Sequence, residues 1–221
     1  MTRPRLALFD CDGTLVDSQA NICLAAVEAF ALSGLTPPPA SAIRRIVGLS
    51  LVEAMRVLAP DQPEAAHHRL AADYKAAFFR LRTEGELEPE PLFDGIAALL
   101  DHLAEQGWLM GVATGKSDRG LARVLAEHGL AHHFVTLQTA DRHPSKPDPS
   151  MLLAAMAETG VAAEDVAMIG DTSFDMAMGK AAGAFAVGVA WGYHDVHELV
   201  KAGAEVVAQE VVDLPALLVR P

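Results

Sequence analysis

Cysteine is nearly absent. The 221-residue chain has two, Cys11 and Cys23, too few for a disulfide scaffold or a thiolate zinc cluster. The expected setting is the reducing cytoplasm. Positive charge is also in short supply: 17 Lys and Arg stand against 29 Asp and Glu, a formal net charge of −12. That balance argues against a nucleic acid polymer or an anionic membrane as the main partner, because both reward positive surface. Long apolar runs are missing too, and stretches such as Phe185 to Trp191 are far too short to span a bilayer. Met1 to Arg5 leads straight into a strand-like run, without the basic segment and apolar stretch of a signal peptide. There is no internal repeat and no low-complexity tract beyond Pro37-Pro38-Pro39. Aromatics are only 5% of the residues, yet apolar residues reach 51%, so the chain is not disordered. It is long for one minimal domain and short for two full ones, which points to a core with something small attached.

Five short apolar runs read as strands: Leu6 to Phe9, Trp108 to Ala113, Phe134 to Gln138, Val166 to Ile169 and Phe185 to Ala190. They are near-continuous rather than alternating, as suits strands buried on both faces. Helical patterns lie between the later ones. Leu99, Leu100 and Leu103 form a stripe that Gly107 stops, Ser117 caps a helix closed by Gly129, and Pro149 opens one closed by Gly160. Strand–helix alternation predicts an α/β fold with a doubly wound, Rossmann-like parallel sheet. From about Ser18 to Arg82 the rhythm breaks, and the patterns are all helical. Ser18 is expected to cap a helix carrying Ile22, Ala26, Ala29 and Phe30. A short helix carries Ile43, Ile46 and Val47, and another runs from Leu51 to Leu58. Pro63 opens a last one with Leu70, Tyr74, Phe78 and Leu81. The expected division is a core of residues 1–16 and 86–221 split by a helical insert of residues 17–85.

Asp10 and Asp12 end the first strand, and a period of two puts both carboxylates on one side. A turn with a helix cap would also place them there. An EF-hand loop begins similarly but needs Gly at its sixth position and Glu at its twelfth, where Leu15 and Asn21 stand. A second acidic pair, Asp171 and Asp175, follows the strand ending at Ile169. Two pairs at two strand ends suggest a hard oxygen-bound cation such as magnesium, although acids at helix starts are also ordinary dipole capping. Thr114 and Gly115 follow another strand, where a hydroxyl and adjacent amides suit an anion. Lys146 sits among Pro144, Pro147 and Pro149, which restrict its backbone. Thr114 or Lys146 alone reads more often as a solvated loop residue.

Taken in order, Asp10-Cys11-Asp12-Gly13-Thr14, Thr114, Lys146 and Gly170-Asp171 through Asp175 resemble the four motifs of the haloacid dehalogenase superfamily. The resemblance covers essentially the whole chain. It is closest to the phosphoglycolate phosphatase-like branch, through Phe9 to Ser18 and Ile46-Val47-Gly48-Leu49-Ser50. It implies that the helical insert is a cap, that Asp10 is a nucleophile and that Asp12 is a general acid and base. It implies Mg2+ held by the carboxylates of Asp10 and Asp171 and the carbonyl of Asp12, with Asp175 assisting. Thr114, Gly115 and Lys146 would hold the phosphoryl group. Dehalogenases and phosphonatases of the superfamily lack an acid at the Asp12 position, so Asp12 points to phosphate esters. Sugar phosphomutases carry a histidine where Ile22 stands, which favours hydrolysis. The implied activity is a magnesium-dependent phosphatase acting on a small phosphomonoester, with phosphoglycolate first. Pyrophosphate, a nucleotide or a sugar phosphate are rival substrates; a phosphomutase and a noncatalytic metal- and phosphate-binding module are rival functions.

Other residues carry less. Cys11 lies between two acids, which disfavours its thiolate, and reads as a small core residue. His132-His133 and His194 with His197 lack a cysteine or carboxylate set to complete a zinc site. Arg44 and Arg45 read as solvent contacts. Trp191 to His194 follows the last predicted strand, either near the cap or simply finishing the fold.

Overall fold

The computed structural model describes residues 3–219. The expectation placed on Met1 and Thr2, that the chain begins without a leader, lies outside them. The elements run β1 (Arg5–Phe9), α1 (Gln19–Leu32), α2 (Ala40–Arg44), α3 (Leu51–Leu58), α4 (Glu64–Thr83) and α5 (Ile96–Glu105). Then come β2 (Trp108–Thr114), α6 (Asp118–Glu127), β3 (Thr136–Thr139), α7 (Ser150–Thr159), β4 (Val166–Gly170) and α8 (Ser173–Ala181). The chain closes with β5 (Phe185–Val189), α9 (Val196–Ala202), β6 (Val206–Ala208) and α10 (Leu214–Leu217). The six strands form one parallel sheet in the order β3-β2-β1-β4-β5-β6.

Pleating sorts the strand side chains into two layers. Ala7 and Phe9 of β1 face a cluster with Leu99, Leu100 and Leu103 of α5 and Leu121 and Val124 of α6. Leu6 and Leu8 face the other side, against Met151, Leu152 and Ala155 of α7 and Met178 of α8. Burial on both faces explains why these strands read as continuous apolar runs. α1 to α4 gather a separate small cluster of Phe30, Met55, Ala59, Leu70 and Ala71.

Several local expectations need correction. Ser18 occupies the N-cap position of α1 but makes no side-chain cap bond; its hydroxyl donates to the buried Asp12 carboxylate instead. Ser117 does cap α6, accepting from Gly120 N at 3.1 Å. The helix expected through Val47 ends at Arg44, and turns follow. β3 starts and ends later than Phe134 to Gln138. A sixth strand, Val206–Ala208, escaped the sequence reading because three residues are too few for a periodic signal.

The strand order reverses between β1, which passes to β2, and β4, which passes to β5. Ligands of open α/β sheets bind in the crevice outside the carboxyl ends at such a reversal. The two acidic pairs follow β1 and β4, so the topology delivers both to that crevice.

Candidate active site

Asp10 extends β1 by one residue, its amide donating to Ile169 O at 2.9 Å. Its side chain is fully buried. Oδ1 accepts from the Cys11 amide at 2.7 Å and lies 2.9 Å from Lys146 Nζ, whereas Oδ2 is buried with no partner. Asp171 accepts from Thr14 Oγ1 at 2.8 Å and from the Tyr193 amide at 2.9 Å. Asp175 is committed on both oxygens. Oδ1 accepts from Lys146 Nζ at 2.6 Å, and Oδ2 closes a capping box on the Thr172 amide and hydroxyl. One carboxylate oxygen from each of Asp10, Asp171 and Asp175 lies within 4.8 Å of the other two.

Such crowding is costly without a cation. Burial first, then Asp175 and Asp12, push the Asp10 carboxyl up to about 7 against the opposing pull of Lys146. Burial, with Asp10 and Asp175 beside it, raises Asp171 well above the ordinary carboxylate range. Lys146 is fully buried. Burial disfavours its charge, but Asp10 and Asp175 more than offset this, and its pKa is raised. Between about pH 4 and pH 7 the folded, metal-free protein therefore keeps a proton on Asp10 that the unfolded chain has released. Each raised carboxyl makes stability fall as pH rises through that window. Burial lowers the pKa of His133 and His143, which act in the opposite sense. In EDTA, thermal unfolding should occur at higher temperature at pH 5 than at pH 7.5, and added magnesium should narrow the gap. A midpoint that rises from pH 5 to pH 7.5 in EDTA would refute this account of the buried acids.

The carboxylate of Asp12 lies apart from that cluster. It accepts from Ser18 and sits 2.7 Å from Lys116 Nζ, which in turn lies 4.0 Å from Glu90. Lys116 thus joins the candidate site beside Asp12, a place its local sequence does not announce. It lies in the bend after β2, beyond the reach of the strand's period of two, so no periodic signal marks it. Thr114 is buried, and its hydroxyl accepts from the Lys116 amide at 3.2 Å. Gly13 has φ +86°, and a Cβ there would run into the Asp171 carboxylate; only glycine lets this turn approach so closely. A Cβ on Gly115 would meet the carbonyl oxygens of Gly48 and Leu49 at 2.6 Å. The turn between α2 and α3 thus sits directly on Gly115, and the Ser50 amide donates to Ser145 Oγ at 2.8 Å beside Lys146.

The segment after β5 does more than finish the fold. Trp191 Nε1 donates to Thr14 O at 3.1 Å, and the Ser18 amide donates to Tyr193 Oη at 3.2 Å. His194 Nδ1 accepts from the Ser173 amide at 3.2 Å, which leaves its Nε2 to donate to Arg45 O at 3.1 Å. Arg45 also pairs with Glu198, so it bridges the helical segment to α9 rather than merely meeting solvent. Cys11 is buried, and burial, with Asp12 beside it, raises its thiol well above the usual value, in keeping with a core role.

The profile of the haloacid dehalogenase-like hydrolases matches residues 7–189. This chain belongs to that family. It is 35% identical over 207 residues to "Probable phosphatase IndB" of Dickeya dadantii, covering 91% of this chain and 88% of that one. It is 31% identical over 219 residues to a phosphoglycolate phosphatase of Pseudomonas putida, covering 98% and 79%. Among solved structures, a predicted phosphatase from Clostridium acetobutylicum superposes with a TM-score of 0.86 at 26% identity, covering 98% and 99%. The family member described here is a hydrolase of the phosphatase kind, consistent with action on phosphoric monoesters. Among the described residues, no helix is long and apolar enough to cross a membrane.

Proposed function

We propose that the chain is a magnesium-dependent phosphatase that hydrolyses a small, phosphoglycolate-like phosphomonoester through an aspartyl-phosphate on Asp10. The observation that carries the reading is the unpartnered Asp10 Oδ2, buried beside Lys146 at the sheet's reversal. A buried carboxylate oxygen without a donor is an expensive arrangement, and it suits an atom reserved for a cation or an electrophile. The donor set of three carboxylates is hard and all-oxygen, which fits Mg2+. Asp10, Asp171, Asp175 and the Asp12 carbonyl would hold it, and when bound it would neutralise charge on the phosphoryl oxygens.

Asp10 Oδ2 attacks phosphorus, and the bond from phosphorus to the leaving oxygen breaks. Asp12 delivers a proton to that oxygen, so the alcohol departs neutral. Water then attacks the phosphorus of the acyl phosphate, Asp12 takes back a proton, and Asp10 is released as carboxylate with inorganic phosphate. Lys146 and Thr114 hold phosphoryl oxygens, and Gly115 lets the backbone approach them. The helical segment of residues 17–85 serves as a cap over the core of 1–16 and 86–221. Its turn at Gly48 stands over the site, where a Cβ would lie 3.8 Å from Asp10 Oδ2. Closure there would exclude water and select the leaving group.

A panel of small phosphate esters with magnesium titration tests the reading. Phosphoglycolate should be hydrolysed in Mg2+, activity should vanish in EDTA, and magnesium should restore it. Isomerised sugar phosphate with little free phosphate would instead indicate a phosphomutase. Binding of metal and phosphate without turnover across the panel would reduce the chain to a binding module.

A further inference from the structure

The amino-terminal edge of the sheet, at the end opposite the acidic site, carries a different donor set. The turn Ala131–His133 leads into β3, and α5 ends beside it just before β2. The Val135 amide donates to Met110 O at 2.8 Å, which ties the turn to β2. His132 and His133 stack with ring centroids 4.0 Å apart. His133 Nε2 lies 3.4 Å from Asp101 Oδ1 of α5, and the His133 side chain is only 7% exposed. One nitrogen of each ring and one oxygen of Asp101 all fall within 4.8 Å of one another. The carboxylate that the sequence did not supply for this histidine pair therefore arrives from α5, about thirty residues earlier in the chain.

We propose that Asp101, His132 and His133 form a second metal site, selective for a borderline divalent transition ion, with Zn2+ as its ligand. Two imidazoles and one carboxylate make a three-ligand set that leaves a fourth position open to water. Imidazole donors favour zinc and its neighbours over magnesium, so the two ends of the sheet would take different metals. His132 Nδ1 lies 2.9 Å from Gly129 O. A carbonyl can only accept, so the proton is on Nδ1 and Nε2 is the atom free to bind. Such a bond to the second ring nitrogen is the usual support of a metal-bound histidine. The residues open on a surface cavity of about 460 Å³ that Trp108 and Met110 also line. Glu105, one helical turn after Asp101, lines the same cavity. An ion there would pin α5 to the entry of β3, far from the carboxyl-end chemistry.

Calorimetric titration of the metal-stripped full chain with Zn2+ tests this, with excess Mg2+ present to occupy the carboxyl-end acids. The parent should bind one Zn2+ and unfold at a higher temperature with it. His132→Gln, an exposed change that leaves the core untouched, and His133→Gln should each weaken Zn2+ binding by about tenfold or more. Both variants should lose the zinc-dependent rise in unfolding temperature and keep the parent's magnesium-supported hydrolysis. Zinc binding of the same strength and stoichiometry in His132→Gln would overturn the site, as would a parent that takes up no zinc under these conditions.

Discussion

Asp10→Asn should fold like the parent and fail to turn over. The amide matches the carboxylate in shape. Its carbonyl can take the place of Oδ1 and keep the bonds from the Cys11 amide at 2.7 Å and Lys146 at 2.9 Å. Its nitrogen then falls at the unpartnered Oδ2, and no acyl phosphate can form there. A loss of about 10⁴-fold or more in kcat is expected, equivalent to roughly 5.4 kcal/mol of barrier, as for removal of a covalent nucleophile. p-Nitrophenyl phosphate is the convenient substrate, since its leaving group needs little help from Asp12. Hydrolysis at the parent rate would show that Asp10 is not the nucleophile. The same variant carries a stability signature. One of the raised carboxyls is gone, so the decline in metal-free stability between about pH 4 and pH 7 should be shallower than in the parent. Activity and stability therefore move independently, and an inactive but merely unfolded protein would be recognised at once.

The sheet and the acids at its edge were legible in the chain because each rests on local signals. Buried parallel strands need unbroken apolar runs, and Leu6 to Phe9 and Val166 to Ile169 stand as such runs. Asp10 and Asp171 follow those strands at once, so strand pairing alone brings them together. The contacts that join distant segments were not legible. Lys116 sits two residues beyond Thr114, but nothing local announces that Asp12 and Glu90 will flank it. Arg45 reads as a solvent residue on a short helix until α9 brings Glu198 to it. His194 finds its partners at Ser173 and Arg45, 21 and 149 positions away. Asp101 meets His133 only because α5 and the turn before β3 share one edge. Ser18 has the residue type of a helix cap, yet a buried carboxylate six residues earlier competes for its hydroxyl and takes it.

Lys146→Met should produce the largest loss of stability of any single change at this site. The side chain is fully buried and its ammonium is shared by Asp10 at 2.9 Å and Asp175 at 2.6 Å. Methionine fills similar volume, so the effect is mainly electrical. Two buried carboxylates are left without their cation, and removing one partner of a buried ion pair costs about 3–5 kcal/mol. The cost depends on pH. Near pH 5 the Asp10 carboxyl, raised to about 7, is largely protonated and needs no counter-charge. The penalty should therefore be smaller there, grow toward pH 7.5, and shrink again when magnesium is added. Urea titration at the two pH values in EDTA measures it. Asp10→Asn added to Lys146→Met should recover part of the loss, because it removes one of the charges left stranded, and the double-mutant cycle isolates that coupling. A Lys146→Met protein as stable as the parent at pH 7.5 without metal would mean that the acids do not carry the charge assigned to them. On the role proposed for Lys146, catalysis should fall as well, by roughly 10²–10³-fold, since a preorganised cation is lost. Arginine is not expected to rescue it, because the planar fork needs more room than a fully enclosed ammonium leaves.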